Sequence, residues 1–174
     1  RSPIGYLIDS SKQAWLPKRV QRILDLCSGS GCLGIVAAHR FPQAKVTLVE
    51  LDPSAAALAR ENVQLHGLED RVAVLEGDAT QLFAGLEPGW DLIITNPPYV
   101  DKPDMQVLPA EYRHEPVHGL AGGDDGLLLV DEFLRVLPEQ LADDGAFICE
   151  VGASSAAVNR KHADLPIVWL DLPH

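Results

Sequence analysis

The sequence predicts an α/β fold in which a mostly parallel sheet is doubly wound, with helices on both of its faces. Three observations support this prediction. Short apolar runs that suit buried strands alternate with segments of helical periodicity along most of the 174 residues. The first strand is followed by a glycine turn, Gly29-Ser-Gly31-Cys-Leu-Gly34, that opens a helix. Polar side chains stand where successive strands end, which is the edge at which open parallel sheets bind ligands.

The first half of the chain alternates regularly between strands and helices. Ser2-Pro3 is a cap and first-turn pair, and three apolar residues at helical spacing follow it. A second such pair, Asp52-Pro53, starts a helix that ends before Gly67. The predicted elements are a helix over 4–8, a strand over 20–27, a helix over 32–41, a strand over 45–50 and a helix over 53–65.

The second half continues this alternation around one long loop. The loop covers residues 100–124 and is too long for a simple connector, so we expect it to be functional or disordered. The amphipathic pattern after it predicts a helix with Pro138 near its end. The predicted elements are a strand over 71–76, a short helix over 80–84, a strand over 92–95, a helix over 126–137, a strand over 145–151, a weak helix over 154–162 and a last strand over 166–172.

Composition limits the classes of function. A chain that is 47% apolar can bury one core, so we expect one domain over 1–174. The net charge of -11 argues against a nucleic-acid backbone as the main ligand. Three cysteines without C-x-x-C spacing predict no disulfide framework and no metal site, which fits the reducing cytoplasm. No apolar run is long enough to suggest a membrane span.

Residues 91–99 end an apolar strand with an amide, two prolines and a phenol. Pro97 and Pro98 lack an N–H and restrict the residue before each of them, so the strand must end at Asn96. The Asn96 side-chain oxygen and the Pro97 carbonyl can then accept hydrogen bonds at one point, with the Tyr99 ring as a wall. This arrangement suits a planar group that carries an –NH2, although the same four residues would also make a rigid loop.

The glycine turn, with Glu50 about 20 residues beyond it, also matches the dinucleotide fingerprint, so NAD is one candidate cofactor. Glu50 can hold both ribose hydroxyls of any cofactor that carries adenosine. Asp25 lies inside the first strand, where a carboxylate is costly unless it meets loop amides or a cationic ligand group. The ammonium of S-adenosylmethionine is such a group and a pyrophosphate is not. Asp78 can accept the adenine amino group, although all three acids could instead be turn caps or solvated strand ends.

These residues resemble the class I S-adenosylmethionine-dependent methyltransferases that modify glutamine side chains in proteins of the translation machinery. The resemblance rests on four motifs that occur in the family's order, and a fifth segment, Glu111-Tyr-Arg-His-Glu-Pro, is most similar to the branch acting on a large-subunit ribosomal protein. The sister branch acts on peptide release factors. The four motifs are Asp25-Leu-Cys-Ser-Gly-Ser-Gly-Cys, Glu50-Leu-Asp-Pro, Gly77-Asp78 and Asn96-Pro-Pro-Tyr-Val.

The resemblance implies a Rossmann-like methyltransferase sheet, a ribosomal protein as substrate and roles for particular residues. Asn96, Pro97 and Tyr99 would be catalytic, and Pro98 and Glu115 would help to hold the substrate. Cys27 is more plausible as a small core residue than as a nucleophile. The implied contacts of S-adenosylmethionine, or of its product S-adenosylhomocysteine, are Asp25, Cys27, Gly29, Gly31, Glu50, Leu51, Asp78, Ala79 and Asn96.

The chain also departs from the family. We expect residues 1–18 to be a lead-in from an amino-terminal domain, and we expect the sheet to be truncated at its carboxyl-terminal edge. Three rival functions stay open: a release-factor methyltransferase, an adenine-specific nucleic-acid methyltransferase, and an idle cofactor-binding module that acts by interaction. Whether Glu115 or His114 takes a proton after methyl transfer is also left open.

Overall fold

A computed structural model describes residues 2–9, 15–98 and 127–170 of the chain. The described part contains one five-stranded sheet, and all four of its strand pairs are parallel. The strands are β1 (Arg22–Leu26), β2 (Lys45–Glu50), β3 (Val72–Glu76), β4 (Trp90–Thr95) and β5 (Leu141–Cys149). Their spatial order is β3-β2-β1-β4-β5, so the predicted doubly wound fold is confirmed.

Helices alternate with the strands along the described part of the chain. They are α1 (Ile4–Asp9), α2 (Cys32–Arg40), α3 (Pro53–Leu65), α4 (Ala79–Gly85), α5 (Leu128–Gln140) and α6 (Ser155–Lys161), the last preceded by a short 3-10 turn over Gly152–Ser154. Local chemistry explains where two of them begin. The Asp52 carboxylate accepts hydrogen bonds from the backbone N–H groups of Ser54 and Ala55, both at 2.9 Å, and so caps α3. Gly31, at φ 79°, turns the chain into α2.

One face of the sheet packs against α1, α2 and α3. Ile23, Leu48 and Ile94 of the sheet belong to a single buried cluster with Ile8 of α1 and Ile35 of α2. Because strand side chains alternate between faces, the residues between these point to the opposite side. Phe83 of α4 and Phe133 of α5 are buried outside the cluster and pack edge to face at 6.1 Å, which indicates that these two helices cover the opposite face.

The described residues form two compact units. The first comprises residues 2–9, 15–96 and 132–150 and contains the whole sheet; the second comprises residues 97–98, 127–131 and 151–170. Within the second unit, the Asp131 carboxylate contacts both Lys161 Nζ and, at 2.7 Å, His162 Nε2. The expected single domain over 1–174 stays a prediction, and the loop over 100–124 lies outside the described residues.

The fifth strand begins earlier than the sequence predicts. The sequence predicts this strand over 145–151, whereas it runs from Leu141 to Cys149. Trp90 pairs with Leu141 and Leu92 pairs with Ala146, so the intervening residues of β5 form an irregularity in the ladder. Asp143-Asp144-Gly145 suggests a turn in the sequence, and only the bulge makes it compatible with a strand.

The predicted last strand over 166–172 is not formed in its described part. Residues 166–170 belong to no strand, and Val168 is 76% exposed. Trp169 donates its indole N–H to the Asn159 side chain at 2.9 Å instead. The prediction was wrong because alternating apolar residues form a strand only beside a partner that takes up their backbone hydrogen bonds.

Gly34 lets α2 lie close against the sheet. A Cβ at this position would lie 2.1 Å from Leu48 Cδ2 and 3.1 Å from Asp25 Oδ2. Leu48 is fully buried and cannot move aside freely, so we expect Gly34→Ala to lower the free energy of unfolding by about 1–3 kcal/mol. Gly85→Ala is the matched control because no atom lies within 4 Å of its added Cβ. Urea unfolding would measure both variants, and equal midpoints would contradict the close packing.

Candidate active site at the carboxyl edge of the sheet

The parallel register gathers the predicted site residues at one edge. In β1, Leu26 pairs with Val49 of β2 and with Thr95 of β4. The residues that follow Val49 and Thr95 are Glu50, the last residue of β2, and Asn96, the first residue after β4, so both lie at the same level, immediately beyond the end of β1. Three separate sequence positions, Asp25, Glu50 and Asn96, therefore converge, because Asp25 lies one residue before Leu26.

Asp25 is a buried carboxylate whose hydrogen bonding is incomplete. Its Oδ2 accepts the backbone N–H of Gly34 at 2.8 Å, whereas Oδ1 has no hydrogen-bond partner among the described residues. Burial raises the pKa of Asp25 from 3.8 to about 7; the Gly34 hydrogen bond opposes this rise and the Glu50 charge adds to it. A cationic ligand group facing Oδ1 would favour the ionised form.

Glu50 holds the backbone around the glycine turn. Its Oε2 accepts the N–H of Gly29 at 2.7 Å and its Oε1 accepts the N–H of Asp52 at 2.8 Å. Each carboxylate oxygen of Glu50 therefore already accepts one hydrogen bond. The predicted hydrogen bonds from two ribose hydroxyls must use the lone pairs that remain on these oxygens. Glu50 consequently has a structural task in addition to any binding task.

Asp78 is the N-cap of α4. Its Oδ1 accepts hydrogen bonds from the backbone N–H of Thr80 at 2.9 Å and from the Thr80 hydroxyl at 2.7 Å. These contacts match the alternative interpretation of the sequence, in which Asp78 is a cap. Its predicted contact with adenine stays a prediction. Leu51, the residue after Glu50, is 55% exposed, and Ala79 is buried in the first turn of α4. Leu51 thus offers an open apolar surface at the site.

The turn after β1 leaves space beside its backbone. Gly29 has φ 54°, and no heavy atom lies within 4 Å of the Cβ that another residue would carry there. Cys27 also has a positive φ, 58°, which is uncommon outside glycine. Burial, followed by the charges of Glu50 and Asp25, raises the pKa of Cys27 to about 12. Cys27 is therefore a neutral thiol near neutral pH and unsuited to nucleophilic chemistry.

Asn96 presents a buried acceptor at the end of β4. Its Oδ1 is enclosed and has no hydrogen-bond partner among the described residues. The preceding residue is anchored, since the Thr95 hydroxyl donates to the Leu26 carbonyl at 2.8 Å. Pro97 is buried and Pro98 half-buried. Tyr99 and Glu115, the other two predicted substrate residues, lie outside the described residues.

The charge at this edge is negative. Within residues 2–9, 15–98 and 127–170, no Lys or Arg forms a salt bridge with Asp25, Glu50 or Asp78. An acidic site without a cationic partner repels a pyrophosphate and attracts a ligand that carries a positive charge. The negative charge at this edge therefore supports S-adenosylmethionine over NAD as the cofactor. The same part of the chain has no group of three or more side chains suited to a metal ion.

Two residues at this edge were missed by the sequence analysis. Ser28 Oγ is buried without a hydrogen-bond partner in the described part of the chain, and its position inside the glycine turn was the available signal. Asn62 of α3 donates its side-chain N–H to the Ser30 carbonyl at 2.9 Å and so supports the turn from another helix. Asn62 carries no comparable signal because it is 32 residues away in sequence.

The raised pKa of Asp25 predicts a pH dependence of folding in the absence of ligand. An acid whose pKa is higher in the folded state loses its contribution to stability as pH rises from about 4 to about 7. Asp25→Asn cannot ionise, so we expect its stability relative to the wild type to increase over this window, by at most about 1.4 kcal/mol per pH unit. Chemical unfolding at several pH values would measure the difference.

Asp52 supplies a comparison of opposite sign at lower pH, outside the window in which Asp25 titrates. The hydrogen bond from the Ala55 backbone, and then that from Ser54, lowers the pKa of Asp52. Its contribution is therefore present at neutral pH and lost as pH falls through the lowered pKa. If Asp25→Asn and the wild type kept a constant difference in stability from pH 4 to 7, the buried acid would not have the raised pKa.

Comparison with known proteins identifies the family. A family model described as a methyltransferase small domain matches residues 11–111. Two curated relatives, both named ribosomal protein uL3 glutamine methyltransferase, are similar to 98% of the chain. The relative from Bradyrhizobium diazoefficiens is 47% identical over 56% of its own length, and the relative from Bordetella pertussis is 43% identical over 57%. The chain thus spans little more than half the length of the curated relatives it matches.

Solved structures show the same fold at low sequence identity. The catalytic domain of hMettl16 in complex with the MAT2A 3'UTR hairpin 1 has a TM-score of 0.61 and 20% identity over 83% of this chain and 55% of that one. The SAH-bound Podospora anserina methyltransferase PaMTH1 has a TM-score of 0.52 and 22% identity over 75% of this chain and 45% of that one. Because the family model covers more than half of its residues, the protein belongs to the methyltransferase small domain family.

Proposed function

We propose that this chain is the catalytic part of an enzyme that transfers a methyl group from S-adenosylmethionine to the side-chain amide nitrogen of a glutamine in a ribosomal protein. The observation that carries the proposal is the buried Oδ1 of Asn96, which has no hydrogen-bond partner among the described residues and lies beside an acidic strand edge. The names of the curated relatives support the choice of substrate. Because the proposed substrate is a ribosomal protein, we also propose the cytoplasm as the location of the reaction.

The acidic edge fits the proposed cofactor. Asp25 Oδ1 is an acceptor for the methionine ammonium, and that contact would stabilise the ionised carboxylate against the cost of its burial. Glu50 lies immediately beyond the end of β1, where its carboxylate can accept hydrogen bonds from the ribose hydroxyls. The exposed Leu51 side chain offers an apolar surface to the adenine. The open space at Gly29 lets a ligand approach the backbone. When bound, S-adenosylmethionine supplies an electrophilic methyl group on a sulfonium.

The chain's own residues must orient a poor nucleophile. An amide nitrogen shares its lone pair with the carbonyl, and the rotation barrier of about 18–20 kcal/mol measures that conjugation. Asn96 Oδ1 and the Pro97 carbonyl would accept the two N–H groups of the glutamine amide, which aligns the nitrogen and stabilises positive charge as it develops there. Proton release can follow methyl transfer, so this arrangement requires no general base beforehand. Tyr99 would pack on the amide plane.

A methyl-transfer assay with labelled cofactor tests the substrate. The full-length protein would be given a uL3 ribosomal protein, a peptide release factor and adenine-containing DNA in parallel. Label should appear on a glutamine of the ribosomal protein. Label on the release factor or the DNA alone would replace the proposed substrate by one of the rivals, and cofactor binding without any transfer would favour the idle module.

Calorimetry tests the cofactor assignment. We expect S-adenosylmethionine and S-adenosylhomocysteine to bind and NAD not to bind. Glu50→Ala should weaken binding by about 1.5–3 kcal/mol, the range for hydrogen bonds to a charged group. Glu132→Ala is the matched control, because that exposed carboxylate pairs only with Arg135 on α5 among the described contacts. Unchanged affinity in Glu50→Ala would remove Glu50 from the binding site.

Asn96→Ala should separate catalysis from cofactor binding. We expect transfer to fall by about 100-fold or more, as when one preorganised hydrogen-bonding group is removed from other active sites. Cofactor affinity should stay within about threefold. Asn159→Ala, which removes an exposed asparagine from α6, is the control. An equal loss of affinity and activity in Asn96→Ala would mean that Asn96 holds the cofactor rather than the substrate amide.

A further inference from the structure

A hydrogen bond joins the start of α1 to the carboxyl edge of the sheet. The Ser2 hydroxyl donates to Glu150 Oε2 at 2.6 Å, across 148 positions of sequence. The same hydroxyl oxygen accepts the backbone N–H of Ile4 at 3.3 Å, at the first turn of the helix. Ser2 therefore links the beginning of α1 to a carboxylate as well as capping the helix.

Glu150 stands beside Asn96. Its N–H donates to the Thr95 carbonyl at 3.1 Å, and its neighbour Cys149 pairs with Thr95, so the ladder between β4 and β5 continues to the level of Asn96. Side chains at equal levels of parallel strands share a face, so those of Asn96 and Glu150 leave the sheet on the same side.

That side is the one covered by α1. Ile4 and Ile8 of α1 belong to one buried cluster with Ile94 and Ile148, which lie two residues before Asn96 and Glu150. Two kinds of contact thus hold the helix. Apolar packing holds its body, and the hydrogen bond between Ser2 and Glu150 holds its start. The start of α1 therefore lies beside the face of the sheet from which Asn96 projects.

We propose that Ser2 and Glu150 are positioning residues for the methyl acceptor, and this inference rests on the function proposed above. The bond between them fixes the first turn of α1 as a wall beside Asn96, which limits the orientations that a glutamine amide can take there. Small errors of alignment are costly in such a site, since a misplacement of about 1 Å can reduce a rate by about 100-fold. Neither residue needs to contact the cofactor for this role.

The test uses four substitutions in the full-length enzyme with the glutamine-bearing ribosomal protein as substrate. Ser2→Ala and Glu150→Ala should each lower kcat by about tenfold to 100-fold, and the double variant should be no slower than either. Glu150→Gln keeps an oxygen that can accept the Ser2 hydroxyl proton, and Ser2→Thr keeps the hydroxyl. Both conservative variants should therefore stay within about threefold of the wild type.

Three further measurements separate positioning from general damage. Cofactor affinity by calorimetry should stay within about threefold in all variants. The thermal midpoint of Ser2→Ala should fall below that of Ser2→Thr because Ser2→Ala loses a helix cap and a hydrogen bond, so kcat is compared at a temperature well below both midpoints. Glu132→Ala, which removes an exposed carboxylate from α5, should leave kcat unchanged.

The outcomes distinguish the two proposals. A wild-type kcat in Ser2→Ala would overturn the positioning role alone. A Glu150→Gln variant as slow as Glu150→Ala would also overturn it, because the reaction would then require the negative charge of Glu150 and not its hydrogen bond with Ser2. A wild-type enzyme that leaves the ribosomal protein unmodified would overturn the proposed function, and the positioning role would fall with it.

Discussion

The parallel pairing of β1 with both β2 and β4 is the constraint on which the site depends. β1 is the central strand, and its register places the ends of its two neighbours at one level. Asp25, Glu50 and Asn96 are far apart in sequence and meet only because of this register. A slip by one residue in either pair would turn a side chain to the other face of the sheet and separate the three groups.

The same edge keeps polar atoms without partners. Asp25 Oδ1, Ser28 Oγ and Asn96 Oδ1 are buried and unpaired among the described residues, and each such atom costs about 1–3 kcal/mol. Trp90 Nε1 and Gln140 Oε1 also lack a partner within the described part of the chain, but they lie where β4 and β5 begin, at the opposite edge. An unpaired atom alone therefore does not mark a site. Three such atoms close together at the strand ends, beside an acidic turn with open space, do support a functional site there.

Two of the acids have a structural task in addition to the binding task proposed for them. Glu50 holds the backbone on both sides of its strand end, and Asp78 caps a helix, so each is fixed before any ligand arrives. This preorganisation lowers the ordering cost of binding. It also means that replacing either acid would change the folded state as well as any ligand affinity. Asp25 has fewer hydrogen bonds among the described residues, and burial raises its pKa to about 7, so its ionised form would gain most from a cationic ligand group.

The sequence by itself determined the alternation of strands and helices, the glycine turn and the acids at the strand ends, because these depend on local periodicity and on the backbone limits of glycine and proline. Lys45–Glu50 was predicted with the bounds that the structure has. Tertiary structure alone decided the bulge at the start of β5, the absence of a strand over 166–170, and the bond between Ser2 and Glu150. These features depend on which partner lies beside a segment, and a partner distant in sequence leaves no trace in local periodicity.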